Sequence, residues 1–256
     1  MRNLSLYLGL SVILLTPVSS FATPTQLTVR VKSKDAKFVG TGVGGVLITV
    51  KDALTGEVLA TGRTAGDTGD TERIMKTPVT RGALLATATA AHFTAALDLT
   101  EPRLIEVTAY GPLANLQAAN RVSATQWIVP GKHITDGDAW LMELPGFVVD
   151  VLAPPTHIKL KGTPQTVQLA ANVMMMCGCP ITPGGVWDAD KYEVKALLKK
   201  DGAMIGDLAL HYAGTTSQFA GTWTVQETGV YEAVVYAYDP TNGNTGVDSV
   251  TFVVDP

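Results

Sequence analysis

Phe93-Thr-Ala-Ala-Leu97-Asp-Leu99-Thr-Glu101 and Phe219-Ala-Gly-Thr-Trp223-Thr-Val225-Gln-Glu227 line up without a gap. After a gap of two residues the match resumes, with Val107-Thr-Ala109-Tyr110-Gly-Pro112 against Val235-Tyr-Ala237-Tyr238-Asp-Pro240. In both copies the apolar residues recur at every second position, the period of a half-buried β-strand. Each half then closes on the same four residues, Phe147-Val-Val-Asp150 and Phe252-Val-Val-Asp255. A recurring strand pattern marks a repeated architectural unit. The expectation is two sandwiches, residues 23–150 and 151–256, joined around Val151-Leu-Ala-Pro-Pro155 as a short, stiff linker.

The rest of the chain carries the same period. Leu27, Val29 and Val31 alternate with polar residues, as do Val46, Ile48 and Val50. Later, Val167, Leu169, Ala171 and Val173 share one face, and so do Tyr192, Val194, Ala196 and Leu198. Turn residues such as Thr55-Gly56, Asp201-Gly202 and Asn242-Gly243 separate these runs. No long stretch after the start of the chain has helical apolar spacing, and the 32 threonines favour pleated strands. The fold class is all-β, two tandem immunoglobulin-like β-sandwich domains after a cleaved signal peptide.

That signal is read from residues 1–22. Arg2 supplies a positive start, Leu4 to Leu15 an apolar run, and Ser20-Phe21-Ala22 a small-x-small cleavage site. The run is shorter than the roughly 20 residues a membrane span needs, and no later segment is longer. The mature protein is expected to begin near Thr23 and to be secreted or periplasmic, with no transmembrane segment. Its balance of 19 basic against 23 acidic residues gives a net charge of −4. No basic surface is left for a phosphate backbone, so nucleic acid is excluded as a partner.

Two family resemblances rest on particular residues. Glu227-Thr-Gly229-Val-Tyr231-Glu-Ala233 resembles the D-x-G-x-Y-x-C corner of immunoglobulin-like domains, with Ala233 in place of the cysteine. The resemblance implies that the Tyr231 hydroxyl ties back a loop and that the usual inter-sheet disulfide is missing. Val46-Leu-Ile-Thr-Val50-Lys-Asp52-Ala-Leu-Thr55-Gly56-Glu-Val58 resembles transthyretin-like and carboxypeptidase-regulatory-like sandwiches. Such folds carry many functions, so neither resemblance implies an activity.

The repeat also serves as a ruler. Eleven residues (241–251) separate Pro240 from Phe252, whereas 34 (113–146) separate Pro112 from Phe147. An insertion at about 113–146, Leu113 to Gly146, is therefore expected between the last two strands of the first sandwich. It holds Trp127, His133 and Trp140, and long connections in compact domains are commonly functional. These three residues are the candidates for binding a partner, expected to be another envelope or extracellular protein. The structural alternative is an extra hairpin, Ala124–Val129 against Ala139–Leu144.

The only cysteines sit in Met174-Met175-Met176-Cys177-Gly178-Cys179-Pro180. If the preceding strand persists, Met175, Cys177 and Cys179 face one way and Met174 and Met176 the other. Three arrangements stay open. A Cys177–Cys179 disulfide suits an oxidising compartment, with Gly178 bending the chain. A Cu(I) site would use Cys177, Cys179 and neighbouring Met, since soft sulfur ligands select that ion, with His157 or His211 completing it. Otherwise the thiols are buried or paired between molecules.

Enzyme signatures are missing. No G-x-S-x-G or H-E-x-x-H occurs, His92, His133, His157 and His211 are dispersed, and Gly40-Thr-Gly42-Val-Gly44-Gly45 precedes a strand rather than a helix. Acidic residues such as Asp67, Asp70 and Glu72 fall in turns and follow no calcium-loop pattern. The expectation is a non-enzymatic interaction or structural module of the cell envelope or exterior, with no cofactor. The alternative is a periplasmic Cu(I)-binding or thiol-redox protein built on the Met-Cys segment.

Overall fold

The computed structural model describes residues 22–256, so the export signal expected over residues 1–22 lies outside the described residues except for Ala22. Sixteen strands account for most of the described chain. The first seven are β1 (Thr23–Ser33), β2 (Leu47–Asp52), β3 (Val58–Arg63), β4 (Phe93–Leu99), β5 (Arg103–Gly111), β6 (Asn120–Ile128) and β7 (Trp140–Leu144). They form a three-stranded sheet, β4-β1-β7, and a four-stranded sheet, β3-β2-β5-β6. Between these sheets lies an apolar core that includes Leu27, Val29, Ile48, Val50, Leu97 and Val107, the alternating residues of the sequence.

The second set is β8 (Phe147–Ala153), β9 (Ile158–Lys161), β10 (Gln165–Met175), β11 (Glu193–Lys200), β12 (Ala203–Ala209), β13 (His211–Tyr212), β14 (Gln218–Val225), β15 (Gly229–Tyr238) and β16 (Thr245–Asp255). Its sheets run β13-β14-β10-β8 and β12-β11-β15-β16-β9. The Tyr231 hydroxyl donates to the Glu227 carbonyl at 2.7 Å, the tie that the immunoglobulin-like resemblance implies. Ala233, which stands where the corner has its cysteine, is buried in the second core, and aromatic rings pack around Tyr231. Tyr231 stacks on Phe252 with centroids 5.4 Å apart, and Trp223 meets Tyr231 edge-on at 5.3 Å.

The repeat is visible in the pairing. β1 pairs with β4 as β10 pairs with β14, and β2 lies between β3 and β5 as β11 lies between β12 and β15. β6 follows β5 as β16 follows β15. This corrects the ruler. The strand equivalent to β16 is β6, and residues 113–146 are sandwich strands β6 and β7 with their connections, not an insertion. Nor do they form an extra hairpin: β6 pairs with β5, whereas β7 runs parallel to β1 in the other sheet.

Phe147-Val-Val-Asp150 is likewise no counterpart of Phe252-Val-Val-Asp255. It opens β8, which pairs antiparallel with β10 in the second sandwich. Residues 151–153 continue that strand, so the expected linker around Val151–Pro155 is replaced by a tighter junction at Pro145-Gly146. Phe147 and Val149 enter the second core and Val148 enters the first. Across the same junction the Gly146 N–H donates to the Asn244 side-chain oxygen, and the Trp187 indole N–H donates to the Asp35 carbonyl at 2.9 Å.

Candidate functional site

Each residue singled out in the sequence has a definite place. Trp140 lies on β7 and is 7% exposed, a core side chain of the first sandwich. His133 lies in the β6–β7 connection, and its Nδ1 accepts the Gln26 backbone N–H at 3.1 Å, which fastens that connection to β1. Trp127 lies near the end of β6 and is 60% exposed. The three do not share one surface, because β6 and β7 belong to opposite sheets. Trp127 and His133 are both presented to solvent, and of the two tryptophans only Trp127 is.

Trp127 pairs in register with Leu104 of β5, and both border a surface pocket of about 330 Å³ whose rim includes Leu54, Thr55 and Pro102. The pocket's charged edge is ordered. Arg103 reaches Glu57 at 3.0 Å and Asp52 at 3.5 Å. Backbone N–H groups of Thr55 and Leu54 donate to Asp52 and hold its carboxyl below the usual carboxylate value. An exposed ring beside an apolar hollow with a fixed polar rim suits recognition of another macromolecule.

β6 itself is open over most of its length. It ends the sheet β3-β2-β5-β6, and Arg121, Ser123, Ala124, Thr125, Gln126 and Trp127 are all exposed. Ala124 and Gln126 share the parity of Ile128, which is buried, so the middle of the strand extends beyond the core on its inner side as well. Arg121 lies over the Tyr110 ring at 5.4 Å, on the same outer face as Trp127.

The Met-Cys segment is built into the seam. Cys177 and Cys179 form a disulfide across a three-residue turn, with Cα atoms 5.4 Å apart and Gly178 at φ 79°. The face assignment follows the strand parity. Met175, Cys177 and Cys179 enter the second core, whereas Met176 is buried in the first and Met174 packs against it. With both sulfurs bonded to each other and the methionines divided between two cores, nothing here supports the Cu(I) arrangement. His211 is exposed on β13, and the His157 N–H donates to the Thr251 carbonyl.

One feature of the first sandwich is absent from the sequence reading. The true long connection is 64–92, between β3 and β4, and it covers the outer side of β1. Buried Arg30 donates from Nη1 to the Ala90 carbonyl, and the Asp138 carboxylate accepts the N–H groups of Leu85 and Ala86. Burial lowers the Arg30 guanidinium from its ordinary value, against the opposing pull of Asp138. The available signal was a run after Arg63 with no period-two alternation as far as Leu85.

No protein family model matches the chain, and no curated protein matches it. Among solved structures it is similar to an engineered protein at 14% identity, over 46% of this chain and 22% of that one, with a TM-score of 0.32. It is similar to the fibronectin(III)-like modules of Clostridium thermocellum CbhA at 14% identity, over 90% of both chains, with a TM-score of 0.30. A β-glucuronidase of Parabacteroides merdae gives 9% identity over 89% of this chain and 24% of that one, at 0.17. The chain thus spans less than a quarter of the engineered protein and of the glucuronidase. None of these likenesses bears on activity.

Proposed function

We propose that this chain is an exported, non-enzymatic β-sandwich protein that acts as an interaction or structural module of the cell envelope or exterior. The observation that carries the proposal is Trp127, an exposed ring at the end of an open strand on a scaffold whose two halves share buried side chains. Large aromatic side chains are enriched at the energetic centres of interfaces, and a fixed scaffold lowers the ordering cost of binding. Export is supported by the residue pattern of positions 1–22 and by a disulfide of the kind that persists in oxidising compartments.

The test is a photo-activated cross-linking amino acid placed at position 127 in the native host. The control places the same residue at Val186, an exposed position of the second sandwich. An adduct formed from position 127 and absent from position 186 supports the assignment. No adduct, or the same adduct from both positions, overturns it.

A further inference from the structure

We propose that β6 pairs with itself: two copies of this chain join antiparallel along β6, about a two-fold axis at Ala124, and make one eight-stranded sheet. This names the partner of the strand described above and rests on that strand being the interaction surface.

The first argument is that β6 is unguarded. Strand edges expose unpaired N–H and C=O groups and are ordinarily blunted by shortness, charge, proline or a bulge. The other edges among the described residues carry such devices. β3 is bulged against β2 at Val50/Lys51, and β12 is bulged against β11 and carries Asp207. β9 has four residues, two of them Lys159 and Lys161, and β13 has two. β7 is five residues long with Glu143, β4 carries Asp98, and β8 is bulged against β10 and carries Asp150. β6 runs nine residues in unbroken register with β5, from Ile128 opposite Arg103 to Asn120 opposite Gly111. It contains no proline, lysine or acidic residue.

The second argument is that the strand is complementary to its own reverse. With Ala124 on the axis, Arg121 faces Trp127 of the partner subunit and Ser123 faces Thr125 of the partner subunit. Two-fold symmetry repeats both pairs. The strand's single charge therefore meets an indole face instead of a like charge, in a cation–π pair formed twice. The Ser–Thr pairs match hydroxyl to hydroxyl, a favourable cross-strand combination. On the other side Val122 faces Gln126 of the partner subunit, and the two Ala124 methyl groups meet where the inner face is otherwise open. The assembly also closes, because the combined sheet ends on both sides at the bulged strand β3.

The pairing is tested by sedimentation equilibrium of the mature protein from about 1 μM to about 1 mM, the range in which small edge interfaces associate. The expected result is a reversible monomer–dimer equilibrium. Ser123→Lys with Thr125→Lys places lysines across the axis and leaves a folded monomer, and Ser123→Glu with Thr125→Glu does the same. An equal mixture of the two variants regains the dimer, because each lysine then faces a glutamate. Arg121→Gln raises the dissociation constant about tenfold, through loss of two cation–π pairs. Thermal unfolding at micromolar concentration, unchanged in the charged variants, confirms that they fold.

A wild-type chain that stays monomeric throughout overturns the proposal. So does a lysine variant that dimerises like wild type, or a mixture that stays monomeric. A monomer whose position 127 still cross-links a foreign protein assigns the edge to another partner, overturning self-pairing while the interaction role stands.

Discussion

Asn244 and Gly146 bond to each other twice. The Gly146 N–H donates to Asn244 Oδ1 at 2.7 Å, and Asn244 Nδ2 donates to the Gly146 carbonyl at 3.0 Å. One residue is the junction between the sandwiches and the other opens the last hairpin of the second. Asn244 is 1% exposed, so both backbone groups of Gly146 depend on it. Asn244→Ala orphans them and is expected to lower stability by about 2–4 kcal/mol. Urea unfolding measures this, and a single transition that splits in two would show the halves uncoupled.

The two tryptophans of the β6–β7 region are expected to respond in opposite ways. Trp140→Ala empties part of the first core and costs about 3–5 kcal/mol. Trp127→Ala removes an exposed ring and changes stability by no more than about 1 kcal/mol. Denaturant midpoints for the two variants decide the matter. Equal losses would mean that Trp127 belongs to the core rather than to a surface.

Intact mass of the mature protein, purified without reductant, is expected to fall two hydrogens short of the reduced sequence. Replacing both Cys177 and Cys179 with alanine should cost only about 1–2 kcal/mol, because the bond closes a very short loop. A protein that instead carries one copper, released by chelator, would restore the metal arrangement considered from the sequence.

Asp52 predicts an acid limb of stability. Its carboxylate accepts the N–H groups of Leu54 and Thr55, each at 2.9 Å, and its folded pKa lies below the unfolded value of about 3.9. The sign follows from proton linkage. The contribution is fully present above the unfolded pKa and is lost as pH falls through the lower folded one. Asp52→Asn should therefore be less stable than wild type at pH 6 and approach it at pH 3, as read by chemical unfolding across that range. A constant difference between the two proteins would remove Asp52 as the source.

How much of this was legible follows from what alternation reports. A strand with one dry and one wet face announces itself, so β1, β2, β10 and β11 were readable; the tie at Tyr231 came instead from the resemblance of Glu227–Ala233 to the immunoglobulin-like corner. The division of the methionines was readable too, since parity carries through Met174, Met175 and Met176. Alternation does not say which sheet a strand joins, and β6 and β7 therefore passed for one insertion. Phe147, Val148 and Val149 are all buried because a core lies on each side of them. Such a run has no wet face, and its likeness to Phe252-Val-Val reflected only apolar character. The open edge of β6 was written in polar residues, which look the same in sequence whether a strand is central or outermost.

Val148 and Met176 are supplied by the second half and fill the first half's core. Cut at residue 146, the first sandwich would lose both side chains and be left with a hole, so the pair is not a string of interchangeable beads. It is closer to a bracket, in which the direction that β6 presents is fixed relative to the far end of the chain. Lengthening the junction by a few residues would take Val148 and Met176 out of the first core instead of adding reach. A spacer gains flexibility when residues are added; this junction would lose its fold.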